Sequence, residues 1–157
     1  MKYRNPILSG FHPDPSICRA GEDFYLVTST FEFYPGVPVY HSRNLVDWEL
    51  LGYCMTEENE FNLEKSAPSG GIYAPTIRYC EGMFFMITTN VSDKGHFIVY
   101  TEDIKKGWSK PQWISGGGID PTLFWDDDGR VYFVSNGNDE EGRSTIEICE
   151  INPFNGK

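Results

Sequence analysis

No stretch of this chain stays apolar for the roughly 18 residues a membrane helix requires, so no span is expected. Nor does the N-terminus, MKYRNPILSGFHPDP, hold the apolar core of about 7–15 residues that marks a secretory signal. Basic residues are scarce: 13 Lys and Arg face 23 Asp and Glu, the formal net charge is −10, and no basic run exceeds Lys105-Lys106. A phosphate backbone would be repelled, which argues against nucleic acid as a partner. The cysteines, Cys18, Cys54, Cys80 and Cys149, contain no Cys-x-x-Cys pair. Without a signal they are expected to be reduced thiols filling core space in a cytoplasmic protein. His12, His41 and His96 lack metal-ligand spacing, and neither metal nor organic cofactor is implied. Helical periodicity of useful length is missing too.

What the chain has in quantity is aromatic side chains, 15% of its 157 residues, in clusters (FEFY, MFF, FW, VYF) bounded by Gly, Pro and Asp. That is a β-rich composition of a length suited to one domain. The clusters recur in order. Asp14-Pro15-Ser16-Ile17, Ala74-Pro75-Thr76-Ile77 and Asp120-Pro121-Thr122-Leu123 each open a strand-like run. Each is followed by a turn and an aromatic strand: DFYLVTST, MFFMITTN and RVYFVSNG. Val39–Ser42 and Val99–Glu102 read as third strands, and Trp48 and Trp108 as openers of fourth strands. Ser144–Ile151, STIEICEI, supplies the third strand of the last unit.

Four-stranded units repeating about every 45–60 residues are the pattern of β-propeller blades. The expectation is an all-β chain holding two blades and about three quarters of a third. It reads as an N-terminal portion whose open blade edge favours self-association. Innermost strands of a propeller line one channel, so Asp14 and Asp120, at equivalent positions, should converge on one place, with Ala74 at that position in the second blade. Pro13 and Pro15 stiffen the first of these sites and are expected to hold Asp14 extended. The run Asp126-Asp127-Asp128-Gly129 lacks the spacing of a calcium loop and reads as a hairpin turn.

The segments NPILSGFHPDPSI, YLVTSTFEFYPGVPVYHSRNLVDWELLG, GGIYAPTIRY and GGIDPTLFWDDDGRVYF resemble glycoside hydrolase family 43, in its β-xylosidase and α-L-arabinofuranosidase branch. The resemblance covers essentially the whole chain. It implies a five-bladed β-propeller, commonly with a C-terminal β-sandwich, that cleaves with inversion of configuration. Residues 1–157 would then be the N-terminal portion of that catalytic domain, without the remaining blades or any sandwich. By position, Asp14 matches the general base and Asp120 the aspartate that orients and tunes the general acid. The acid itself, a glutamate in a Glu-Gly-Pro context, has no match among these residues, so the chain alone is expected to be inactive. Phe31 resembles a pocket-lining aromatic, Tyr73 stands where the family usually has Trp, and His12 adjoins the base within reach of sugar. The implied substrate is a xylo-oligosaccharide or arabinoside. Two other readings are a sucrose- or fructan-cleaving propeller, opposed by HPDPS in place of an Asn-Asp-Pro-Asn-Gly motif, and a non-catalytic sugar-binding propeller or inactive remnant.

Overall fold

Strand and turn signals alternate along the chain, and the computed structural model, which describes residues 3–157, turns that alternation into three antiparallel sheets. The first comprises β1 (Ser16–Ala20), β2 (Asp23–Val27), β3 (Gly36–Ser42) and β4 (Glu49–Met55), paired in chain order. The second repeats the order with β5 (Thr76–Cys80), β6 (Met83–Asn90), β7 (Gly95–Thr101) and the short β8 (Gln112–Trp113). The third contains β9 (Ile119–Trp125), β10 (Val131–Asn138) and β11 (Ser144–Glu150). Two complete blades and most of a third are present, as the repeat predicts.

The second strand of each sheet records how many faces are covered. Side chains alternate across a strand, so a strand buried on one side reads as alternation and one buried on both sides as a continuous apolar run. In MFFMI of β6, Phe84 and Met86 pack toward the first sheet with Val27, Val39 and Ile77. Phe85 and Ile87 pack toward the third with Leu123, Val131 and Phe133. In β10 burial alternates residue by residue, because only one face meets a neighbour. The other face of the third sheet leaves Phe124, Ile146 and Ile148 exposed at 54%, 73% and 65%. Each fully covered side chain of this kind contributes about 1.5–3 kcal/mol.

The Pro-(Ser/Thr)-aliphatic repeat has a mechanical meaning. Ser16 Oγ accepts from Ile77 N at 3.2 Å, and Thr76 Oγ1 donates to Pro121 O at 2.9 Å. Arg78 Nη2 donates to Thr122 Oγ1 at 2.8 Å. The hydroxyl opening each blade thus ties its first strand to the first strand of a neighbour, and β1, β5 and β9 stand side by side.

Three expectations need adjustment or detail. Trp48 immediately precedes β4, but Trp108 does not open a fourth strand: it packs into the core between the first two sheets, and β8 starts at Gln112. Ser109 N donates to Tyr100 O at 2.9 Å, but Pro111 has no N–H to give a ladder, and the strand itself begins only after it. Cys18 and Cys54 are buried and Cys80 half-buried, but Cys149 is exposed on β11, the outermost strand of the third sheet. The Asp126–Gly129 run is the β9–β10 turn, with Gly129 at φ 84° donating its N–H to Asp126 O at 3.0 Å.

Candidate active site

Asp14 lies in the bend just before β1, and Asp120 is the second residue of β9; both are exposed. Their backbones share an unusual conformation. Asp14 has φ 51° and Asp120 φ 57°, in the left-handed region that costs an L-residue free energy. This corrects the expectation that flanking prolines hold Asp14 extended. In this conformation Ser29 N donates to Pro13 O at 3.0 Å and Ser29 Oγ donates to Asp14 Oδ2 at 2.5 Å. Ala74 has no such positive φ. Left-handed non-glycine residues are held only where surroundings over-determine them, at a cost of about 1–3 kcal/mol each, and they concentrate at functional sites.

A second consequence separates the same two blades from the middle one. Thr28, Thr88 and Ser135 occupy matching register positions, each one residue beyond the partner of the blade's opening Ser or Thr. Thr88 Oγ1 donates to Tyr73 O at 2.8 Å. The buried hydroxyls of Thr28 and Ser135, in the blades carrying Asp14 and Asp120, have no partner among the described residues. Turning the aspartates into the left-handed region goes with leaving these hydroxyls unpaired, an arrangement that packing alone would not favour.

Phe31 also has a positive φ, 51°, and is half-buried. It exchanges both backbone hydrogen bonds with Ile72, each 2.9 Å, and so ties the loop after β2 to the second blade. Gly71 makes this approach feasible: a Cβ there would lie 2.3 Å from Phe31 O. The result sets the Phe31 and Tyr73 rings 5.4 Å apart at 61°. Phe11 extends the array, 5.9 Å from Phe31 and 5.7 Å from Phe33. Phe11 and Phe33 are 59% and 58% exposed. These two were missed in the sequence, where Phe11, three residues before Asp14, and Phe33, in the same FEFY cluster as Phe31, were the available signals.

His12, two residues before Asp14, is engaged by Tyr40. Its ring stands edge-on to Tyr40 at 5.5 Å, with Nδ1 3.4 Å from Tyr40 Oη and Nε2 3.3 Å from Ser9 O. It lines an apolar cavity of about 510 Å³ with Ile7, Leu8, Pro15, Leu26 and Thr28. His96 is a core group, its nitrogens 2.8 Å from Thr89 Oγ1 and 2.8 Å from Gly117 O. Among the described residues no group of three or more His, Cys, Asp or Glu is arranged to hold a metal ion.

Comparison with known proteins follows the same outline. The profile of the glycosyl hydrolases family 43 matches residues 3–157. This chain belongs to glycosyl hydrolase family 43. Among its family relatives, a xylosidase/arabinosidase from Butyrivibrio fibrisolvens is 49% identical over 141 residues, covering 88% of this chain and 27% of the relative. A non-reducing end alpha-L-arabinofuranosidase from Bacteroides ovatus is 48% identical over 140 residues, covering 87% of this chain and 26% of the relative. The chain therefore spans about a quarter of the length of these curated relatives. Of solved family 43 structures, a GH43_12 protein from a capybara gut metagenome superposes with a TM-score of 0.91 at 40% identity, over 98% of this chain and 30% of that one. A xylan beta-1,4-xylosidase from Bacillus halodurans gives 0.89 at 38% identity, over 96% and 31%. The three sheets are thus part of a family 43 β-propeller.

Proposed function

We propose that this family 43 chain supplies the water-activating side of an inverting glycosidase site that releases xylose or arabinose from the non-reducing end of xylo-oligosaccharides. The observation that carries the reading is the shared left-handed backbone of Asp14 and Asp120 at equivalent blade positions, absent at Ala74.

In this reading Asp14 accepts a proton from water as the water oxygen bonds to the anomeric carbon. The glycosidic C–O bond breaks on the opposite face, and the departing oxygen takes a proton from a carboxylic acid. The resemblance assigns that acid to a glutamate beyond these residues. Asp120 orients the acid, and its negative charge favours the acid's protonated form. Inverting geometry needs the two working carboxyls about 6.5–9.5 Å apart, leaving room for the water. Phe31 and Tyr73 supply a stacking surface for the sugar, with Tyr73 adding a hydroxyl that a Trp lacks. His12, turned toward Tyr40, borders the site beside the base. The names of the relatives support a pentose substrate.

The test is hydrolysis of an aryl β-xyloside and an aryl α-L-arabinofuranoside by the intact protein, meaning residues 1–157 joined to the blades that carry the general acid, and by its Asp14→Ala and Asp120→Asn variants. The reading predicts turnover of at least one substrate, lost by about a hundredfold or more in Asp14→Ala. Sugar binding without turnover would instead favour the non-catalytic propeller.

A further inference from the structure

We infer that Ser29 is a positioning residue for Asp14, fixing which carboxylate oxygen is presented to the water; this rests on the reading of Asp14 as the base. The argument begins with what the local sequence withholds. Pro13 and Pro15 carry no backbone N–H, so the residues on either side of Asp14 cannot donate to its carboxylate. The Ser16 end is committed to pairing with Val27. Orientation has to come from across the blade, and Ser29 provides it at two points. Its N–H holds Pro13 O at 3.0 Å and its hydroxyl holds Asp14 Oδ2 at 2.5 Å. Ser29 is 1% exposed, so this donor is not shared with solvent.

The other blades show that the contact is specific to the first. Two residues beyond the partner of each opening Ser or Thr stand Ser29, Thr89 and Asn136. Thr89 Oγ1 is engaged with His96 Nδ1 at 2.8 Å, and Asn136 Oδ1 accepts from Ser144 Oγ at 3.3 Å. Of the three, Ser29 alone turns its side chain to the residue that opens its blade. A group that accepts a proton from water needs one oxygen with its lone pair aimed and free. A group that only steadies another carboxyl does not. Ser29 occupies Oδ2 of Asp14 and leaves Oδ1 for the water.

The test compares Ser29→Thr with Ser29→Val in the intact protein, two side chains of nearly the same shape of which only Thr keeps the hydroxyl. Any packing cost of the branched side chain falls on both, and Thr is what the second blade carries at this position. The hydrogen bond to a charged group predicts that kcat falls about ten- to a hundredfold in Ser29→Val relative to Ser29→Thr, with KM changed less than about threefold. Melting temperatures establish that both variants are folded, and Ser29→Ala should behave as Ser29→Val does. Equal kcat for the Thr and Val variants, with Asp14→Ala inactive, overturns the role of Ser29 and leaves Asp14 as base. Wild-type turnover in Asp14→Ala overturns the base and the clamp together.

Discussion

Phe31 and Ile72 exchange both of their backbone hydrogen bonds, at 2.9 Å each, across the seam between the first and second blades. Ile72 also bridges to Asn90, so the loop after β2 is continued into the sheet of the next blade. The rings of Phe31 and Tyr73 are consequently positioned by main-chain bonds, and their 5.4 Å spacing is a property of the seam.

Gly71→Ala should break this seam. The added Cβ would meet Phe31 O at 2.3 Å, and the position has φ 78°. Backbone cannot yield as a side-chain tip can, so a loss of about 1–3 kcal/mol is expected. Denaturant unfolding measures it. Weakened sugar binding in the same variant, seen as a raised KM, would show the aromatic pair moving with the seam.

Much of this architecture was legible in the sequence, and for physical reasons. The period-2 strands, the Gly-bearing turns and the Pro-(Ser/Thr)-aliphatic openings each follow from local chemistry, so blade count and strand order could be read directly. What was not legible depends on contacts between distant residues. Pro15 argues locally for an extended Asp14, whereas the structure turns both Asp14 and Asp120 left-handed and ties Asp14 to Ser29, fifteen residues away. Trp108 looks like Trp48 until Pro111 delays its strand. Phe11 and Phe33 join the aromatic array because the loop after β2 folds over the bend before β1.

Arg78→Ala should loosen the seam between the second and third blades. Its guanidinium donates to Thr122 Oγ1 at 2.8 Å, Leu123 O at 3.3 Å and Ile77 O at 3.1 Å. Burial pushes its pKa below the usual arginine value, so part of the gain offsets desolvation. A net loss of about 1–2 kcal/mol is expected by chemical denaturation, the scale of hydrogen bonds made by charged donors after that offset. A variant as stable as wild type would show that desolvation cancels the bonds.

Acid should weaken the outer part of the first blade through Asp23. Its carboxyl accepts from His41 Nε2 at 2.7 Å and Arg43 Nε at 2.9 Å, and these bonds hold its pKa below the usual carboxylate value. A depressed folded pKa means stability that is present above about pH 4, the unfolded value, and lost as pH falls through the folded one. The melting-temperature gap between wild type and Asp23→Asn should therefore narrow below about pH 4. A constant gap would remove the titration of Asp23 from acid stability.

Thiol reactivity should rank by exposure. Burial pushes the Cys18 thiol up to about 12 and Cys54 well above its ordinary value, while half-buried Cys80 is raised and Cys149 is exposed. The thiolate is the nucleophile. At pH 8 a chromogenic disulfide reagent should label Cys149 first and leave Cys18 and Cys54 unmodified until the protein unfolds. Mass spectrometry of the labelled peptides reads the order.

The most direct test of the account is the configuration of the first product. Proton NMR during hydrolysis of an aryl β-xyloside by the intact protein distinguishes the anomers before mutarotation. Water activated by Asp14 and attacking opposite the leaving group predicts that α-xylose appears first and β-xylose only later. Initial release of β-xylose would mean a retained configuration and a nucleophile in place of the base, and would contradict the role of Asp14 as the group that activates water.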